Sequence, residues 1–191
     1  RRKAAEDSIR KMAFFDQLTG LPNRRMMEDR LAQMLALAKR EQRKLSLLFV
    51  DLDRFKAVND QHGHSAGDWL LTQVASRMGS VLRASDTASR IGGDEFVILL
   101  PDAQKTDDAV LVAEKIRCVL EQPFVMDNGV ELDISSSIGV VMYPGQADNV
   151  RDLLHFGDEA MYRAKKGGRN AVEVFAAQAE PDEQSMVYLQ T

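Results

Sequence analysis

The segment from Leu45 to Val50 constrains this chain more than any other. It has strand length and is apolar at nearly every position, where a half-buried strand would alternate apolar and polar residues. Such a strand must be covered on both faces, so the fold needs a layer on each side of its sheet. The strand ends in Asp51-Leu52-Asp53, which places carboxylates at its C-terminal edge.

Helical spacing supplies the covering layers. Met27, Leu31, Met34, Leu35 and Ala38 mark one helix, with Asn23 as its start. A short helical piece over Phe55–Asp60 is followed by the turn His62-Gly63-His64 and a helix over Ser65–Leu82. Further helices are expected over Thr106–Glu121 and Asn149–Lys166, the second stopped by Gly167-Gly168. Strands are expected over Thr87–Ile91 and Phe96–Leu100, joined by a hairpin at Gly92-Gly93-Asp94-Glu95, and over Ile138–Tyr143 and Ala171–Phe175. Phe124–Met126 and Val130–Ile134 bracket Asp127-Asn128-Gly129, a second hairpin signal. Helices alternating with strands and strand pairs predict an α/β sandwich with a mixed sheet. The domain is expected over residues 16–175, after a helical lead-in over 1–15 and before a tail over 176–191.

The chain has 191 residues, 45% hydrophobic and 28% charged, with net charge −4. That balance suits one globular domain and weighs against a grip on polymeric nucleic acid. The single cysteine, Cys118, has no disulfide partner or zinc companions and reads as a buried, inert thiol. No run of 18 apolar residues suggests a membrane span. Arg1-Arg2-Lys3 is not followed by a signal-like apolar stretch, and the chain does not open on Met. It therefore reads as cytoplasmic, as the cytoplasmic part of a larger signalling protein, with no membrane contact of its own.

Asp51, Asp53, Asp94 and Glu95 are candidates to converge at strand ends. Four such carboxylates would repel one another unless a cation sat among them. An oxygen-only donor set suits Mg²⁺, with Mn²⁺ as a substitute, and leaves room for substrate phosphates. Taken singly, an acidic turn is weak evidence, because Asp and Gly are common in turns.

The combination is more specific. Asp16-Gln17-Leu18-Thr19-Gly20-Leu21-Pro22-Asn23-Arg24, Asp51-Leu52-Asp53-Arg54-Phe55-Lys56-Ala57-Val58-Asn59-Asp60, His64-Ser65-Ala66-Gly67-Asp68, Gly92-Gly93-Asp94-Glu95-Phe96, and the run Ala160 to Asn170 with Lys165-Lys166-Gly167-Gly168-Arg169, occur in that order. Together they resemble the GGDEF family of diguanylate cyclases over about residues 14–175. The resemblance implies a ferredoxin-like α/β (α+β) sandwich similar to the palm of nucleotidyl cyclases and polymerases. It implies condensation of two GTP molecules into cyclic di-GMP with release of two pyrophosphates. It assigns metal contacts to Asp51, the Leu52 carbonyl, Asp94 and Glu95, with Asp94 and Glu95 also helping to activate the 3′-hydroxyl. Gly92 and Gly93 would let the backbone approach phosphate, and Phe96 would anchor the hairpin in the core. Guanine contacts fall on Asn59 and Asp68, with His64 lining the pocket. Asp68 lies three residues after Ser65, so a purely structural capping box is the alternative. Phosphate contacts fall on Lys56, Lys165 and Arg169, the last two at helical spacing. Arg83-Ala84-Ser85-Asp86 matches the family's inhibitory product site, for which Arg117 is a guess at a further arginine. Gly157, where the family often has alanine, is expected to loosen its helix slightly.

The resemblance further implies a homodimer, since each subunit would hold one GTP. The alternative reading is a catalytically silent module that binds GTP or cyclic di-GMP for a neighbouring domain. A different triphosphate enzyme is a third, against which Asn59 and Asp68 speak. The absence of Gly-x-x-x-x-Gly-Lys-Ser/Thr speaks against a P-loop nucleotide site.

Overall fold

The computed structural model describes residues 11–176. The expectations for residues 1–10 and 177–191, most of the lead-in and the tail, lie outside the described residues. Residues 11–14 are helical and lead to a bridge between Phe15 and Pro22.

In chain order the elements are α1 (Arg24–Glu41), β1 (Leu45–Asp53), α2 (Phe55–His62), α3 (His64–Val81), β2 (Thr87–Gly92), β3 (Glu95–Leu100), α4 (Thr106–Glu121), β4 (Phe124–Val125), β5 (Glu131–Leu132), β6 (Ser135–Tyr143), α5 (Val150–Lys166) and β7 (Ala171–Val174). Five strands form one sheet in the order β2-β3-β1-β6-β7. All neighbours are antiparallel except β6 and β7, so the sheet is mixed. The expected second hairpin forms, with shorter strands, as the separate two-stranded sheet β4-β5.

β1 is central and buried at all nine positions. Its side chains alternate between two cores, as strand geometry requires. Leu48, Val50 and Leu52 join Phe96, Ile98, Ile138 and Val140 under α2, α3 and α4. Leu45, Leu47 and Phe49 join Val97, Leu99 and Val141 under α1 and α5. The apolar run is thus covered on both faces, as its composition demands. No helix among the described residues is long and apolar enough to cross a membrane.

The site end of the sheet is longer than the apolar pattern suggests. β1 continues through Asp53, and β6 begins at Ser135 rather than Ile138. The added residues pair with one another, Asp51 opposite Ser137 and Asp53 opposite Ser135. Polar residues hide a strand from hydrophobic patterning when backbone pairing and hydrogen bonds, rather than apolar burial, hold it.

α5 lies unusually close to the sheet. A β-carbon on Gly139 of β6 would overlap the carbonyl oxygen of Gly157 and the amide nitrogen of Met161. Gly157 in turn faces β1, where an added β-carbon would stand 2.9 Å from Leu47 Cδ2. Gly157 is therefore also a packing contact against β1. Cys118 also departs from expectation, because it is exposed. The inward face of α4 runs through Ala109, Ala113, Ile116 and Leu120, and position 118 turns away from it.

Candidate functional site

The β1–β3 register sets Asp51 directly across from Glu95. Cross-strand partners share a face of the sheet. That face is the one covered by α1 and α5, since Phe49 and Val97 also lie on it. Asp94 precedes Glu95 in the turn, and its carbonyl accepts a hydrogen bond from the Leu52 amide at 3.2 Å. Gly93 adopts a left-handed backbone with φ 47°, which lets the two-residue corner close with both carboxylates beside the end of β1. Around Gly92 and Gly93 an added β-carbon would meet nothing within 4 Å, so the outer side of the turn is open.

The close seat of α5 brings Lys165 to this group. Its Nζ lies 2.7 Å from Asp51 Oδ1. The contact is one of charge, without hydrogen-bond alignment, and leaves the buried oxygen short of a well-directed partner. Burial pushes the Asp51 carboxyl up to about 6; Lys165 pulls it down, while Asp94 and Glu95 push it further up. Glu95 is also raised, first by burial and then by Asp158 and Asp94, with Arg24 and Lys165 opposing. Asp158 on α5 and Arg24 at the start of α1 thus join the group, roles to which the sequence pattern did not point.

Asp53 does not join the cluster. It is buried, and both its oxygens are occupied. Ser137 Oγ donates to Oδ1 at 2.6 Å, and Ser135 Oγ and the Asn170 amide donate to Oδ2 at 2.6 and 3.0 Å. Asp53 is thus set apart from the other three expected carboxylates, because it instead ties β1 to β6 and to the loop after α5.

Arg90 was also missed. Its guanidinium spans Asp16, with Nη1 3.1 and 3.0 Å from the two carboxylate oxygens, and its Nε donates to the Gly93 carbonyl at 2.9 Å. Burial alone would raise the Asp16 carboxyl, but hydrogen bonds from the Thr19 hydroxyl and amide, together with Arg90, hold it below its ordinary value. The Asp16–Asn23 segment is thereby fastened to the acidic hairpin.

The base-contact candidates sit on the α2–α3 corner. Asn59 is half-buried on α2, and Asp68 and His64 are exposed on α3. The capping-box alternative for Ser65 and Asp68 fails, because α3 starts from Gly63 with no side-chain cap. Lys56 is exposed on α2. Arg169 lies beyond the end of α5 with φ 66°, so it does not continue the helical face of Lys165. It lines an open groove with Arg54, Asp53 and Asn170.

Arg83 and Asp86 close a reciprocal turn: the Arg83 amide donates to Asp86 Oδ2 at 2.8 Å, and the Asp86 amide to the Arg83 carbonyl at 3.0 Å. Both side chains line a cavity of about 240 Å³ with Asp102, Asp108, Leu111 and Lys115. Arg117 is elsewhere, bound by Glu114, Glu121 and Asn170. Arg117 therefore stands apart from this cavity, and the cation that shares its lining with Arg83 is Lys115.

Among the described residues no three His, Cys, Asp or Glu side chains form a ready-made metal cage. Hard oxygen donors do meet here, with a buried, poorly partnered Asp51 oxygen and a raised Glu95, which fits a cation such as Mg²⁺ that takes few carboxylates and fills its shell from substrate.

A mixed sheet covered by helices on both faces, with an acidic hairpin facing a carboxylate strand end, defines an α+β sandwich domain with its candidate site at that end. The family model described as "Diguanylate cyclase, GGDEF domain" matches residues 13–171, and the chain belongs to that family. It is 42% identical over 185 residues to the bifunctional diguanylate cyclase/cyclic di-GMP phosphodiesterase MucR of Pseudomonas aeruginosa, covering 97% of this chain and 27% of that protein. It is 41% identical over 164 residues to the diguanylate cyclase TpbB of the same species, covering 86% of this chain and 38% of that protein. The chain thus spans well under half the length of these relatives. The crystal structure of the GGDEF domain of TpbB matches with a TM-score of 0.81 at 40% identity, covering 83% of this chain and 99% of that one. The coiled coil and GGDEF domain of DgcB from Caulobacter crescentus, in complex with c-di-GMP, matches with a TM-score of 0.82 at 29% identity, covering 91% and 92%.

Proposed function

We propose that residues 16–175 form a diguanylate cyclase domain that condenses two GTP molecules into cyclic di-GMP. The observation that carries this reading is the pairing of Asp51 with Glu95 across β1 and β3, with Asp94 beside them and Lys165 over them. In each of two equivalent steps a 3′-hydroxyl oxygen bonds to the α-phosphorus of the other GTP, the bond from that phosphorus to the bridging oxygen breaks, and pyrophosphate leaves.

Asp51, Asp94 and the Leu52 carbonyl would hold Mg²⁺, with Glu95 beside them. The ion would lower the barrier to deprotonating the hydroxyl and neutralise developing phosphate charge. Asp94 takes up the hydroxyl proton on a carboxylate oxygen. Asn59 and Asp68 hold the guanine, the carboxylate accepting from N1 and the exocyclic amine. Lys165, Arg169 and Lys56 pair with the phosphates. One domain presents one such set of groups, so catalysis requires two copies facing each other. Arg83, Asp86 and Lys115 would hold product in the separate cavity and slow turnover. Support for that role is the shared cavity and the donor and acceptor set it offers to a guanine edge.

The test is turnover of GTP with Mg²⁺ by dimeric protein, read by chromatography of cyclic di-GMP. Product formation that vanishes in Asp94→Ala and is relieved of product inhibition in Arg83→Ala is expected. Failure of dimeric protein to form any product would defeat the catalytic reading.

A further inference from the structure

The corner between α2 and α3 turns on one glycine. Gly63 closes α2 and opens α3 at φ 87° and ψ 164°, and its amide donates to the Asn59 carbonyl at 2.9 Å. This folds the last turns of α2 against the first turn of α3. Asn59 then rests on Gly67, the residue before Asp68. A β-carbon on residue 67 would overlap Asn59 Oδ1, stand 2.9 Å from Asn59 Cγ, and come within 3.2 Å of Phe55 Cζ. Gly67 is buried, so that β-carbon could not escape into solvent.

We infer that Gly67 is a positioning residue for base selectivity: its bare α-carbon is the floor on which the Asn59 carboxamide is held beside Asp68. The inference rests on the reading of Asn59 as a guanine contact. The group that would yield to a side chain at 67 is the end of the Asn59 side chain, since the Asn59 backbone is fixed by its hydrogen bond to Gly63. A carboxamide turns about its χ angles at small cost. Gly67→Ala should therefore fold while holding its recognition amide in the wrong place. Its own helical preference also favours that outcome, because alanine is the better helix former.

The test measures binding of two analogues, GTP and ATP each carrying a methylene between the α- and β-phosphorus, to four proteins: parent, Gly67→Ala, Asn59→Ala and the double variant. Far-UV circular dichroism and thermal melting accompany each. Gly67→Ala is expected to weaken the GTP analogue about tenfold, the scale of one net hydrogen bond, and to leave the ATP analogue unchanged. In the Asn59→Ala background, where the carboxamide is gone, Gly67→Ala should add nothing. Equal losses for both analogues, or an undiminished loss in the Asn59→Ala background, would overturn the inference. If Asn59→Ala weakens the GTP analogue and Gly67→Ala does not, only the role of Gly67 falls. If Asn59→Ala binds GTP as the parent does, the guanine contact falls, and the inference with it. Should Gly67→Ala unfold, recovery of the fold in the double variant supports the Asn59 contact, and failure to recover overturns it.

Discussion

The ammonium of Lys165 lies 2.7 Å from a carboxylate oxygen of Asp51 that is otherwise enclosed by the sheet and by α5. Two residues more than a hundred positions apart thus meet at the centre of the acidic group. The pair does not balance the burial, because the Asp51 carboxyl still stands at about 6. Between its ordinary value of 3.8 and about 6, the unfolded chain has released a proton that the folded chain keeps. The contribution of this group to stability is therefore full below 3.8 and is lost as the pH rises through about 6.

Asp51→Asn removes that cost. In buffer with chelator at pH about 8, the variant should exceed the parent in stability by about 1–3 kcal/mol, with the gain shrinking below pH about 4. Urea denaturation at the two pH values measures it. A variant less stable than the parent at the higher pH would mean that the Lys165 pair outweighs the burial.

Asp53 has a different role from its neighbour two residues earlier. Three donors converge on it from Ser135, Ser137 and Asn170. Asp53→Asn loses charge-assisted bonds and sets its NH₂ against a donor, at a cost of about 2–4 kcal/mol. Thermal melting with and without Mg²⁺ and GTP separates the two positions. The stabilisation by ligand should persist in Asp53→Asn and disappear in Asp51→Asn.

Arg90 fastens the acidic hairpin to Asp16, and both side chains are largely buried. A lysine cannot reproduce the fork, so Arg90→Lys should cost about 1–3 kcal/mol at neutral pH. The Asp16 carboxyl is held below its ordinary value, so its contribution is present above 3.8 and is lost as the pH falls through the lower folded value. Parent and variant should therefore converge in strong acid. Denaturation midpoints across the acid range check both the size and the direction.

Gly139 and Gly157 face each other across β6 and α5 with unequal tolerance. A side chain at 139 meets helix backbone, which cannot rotate away, whereas one at 157 meets the end of Leu47. Gly139→Ala should cost about 2–4 kcal/mol, the upper range of overpacking, and shift Lys165 from Asp51. Gly157→Ala should stay within about 1.5 kcal/mol of the parent, because helix preference offsets the repacking. Chemical denaturation of both variants ranks them.

Local chemistry makes much of this protein legible in its sequence. The doubly covered strand follows from Leu45–Val50, the start of α1 from Asn23, whose side chain accepts the Met26 amide at 3.1 Å, and the acidic hairpin from Gly92-Gly93. Each depends on periodicity or on a backbone preference that neighbouring residues decide among themselves. Tertiary structure alone decided which carboxylates meet. Asp51 and Asp53 look alike in sequence, yet strand register hands one to Glu95 and Lys165 and the other to two serines and a backbone amide. It also set Lys115 rather than Arg117 beside Arg83, and Arg90 against Asp16. Register and helix docking are fixed by the packing of whole faces, including the bare surfaces of Gly67, Gly139 and Gly157, and no short window of sequence holds that information.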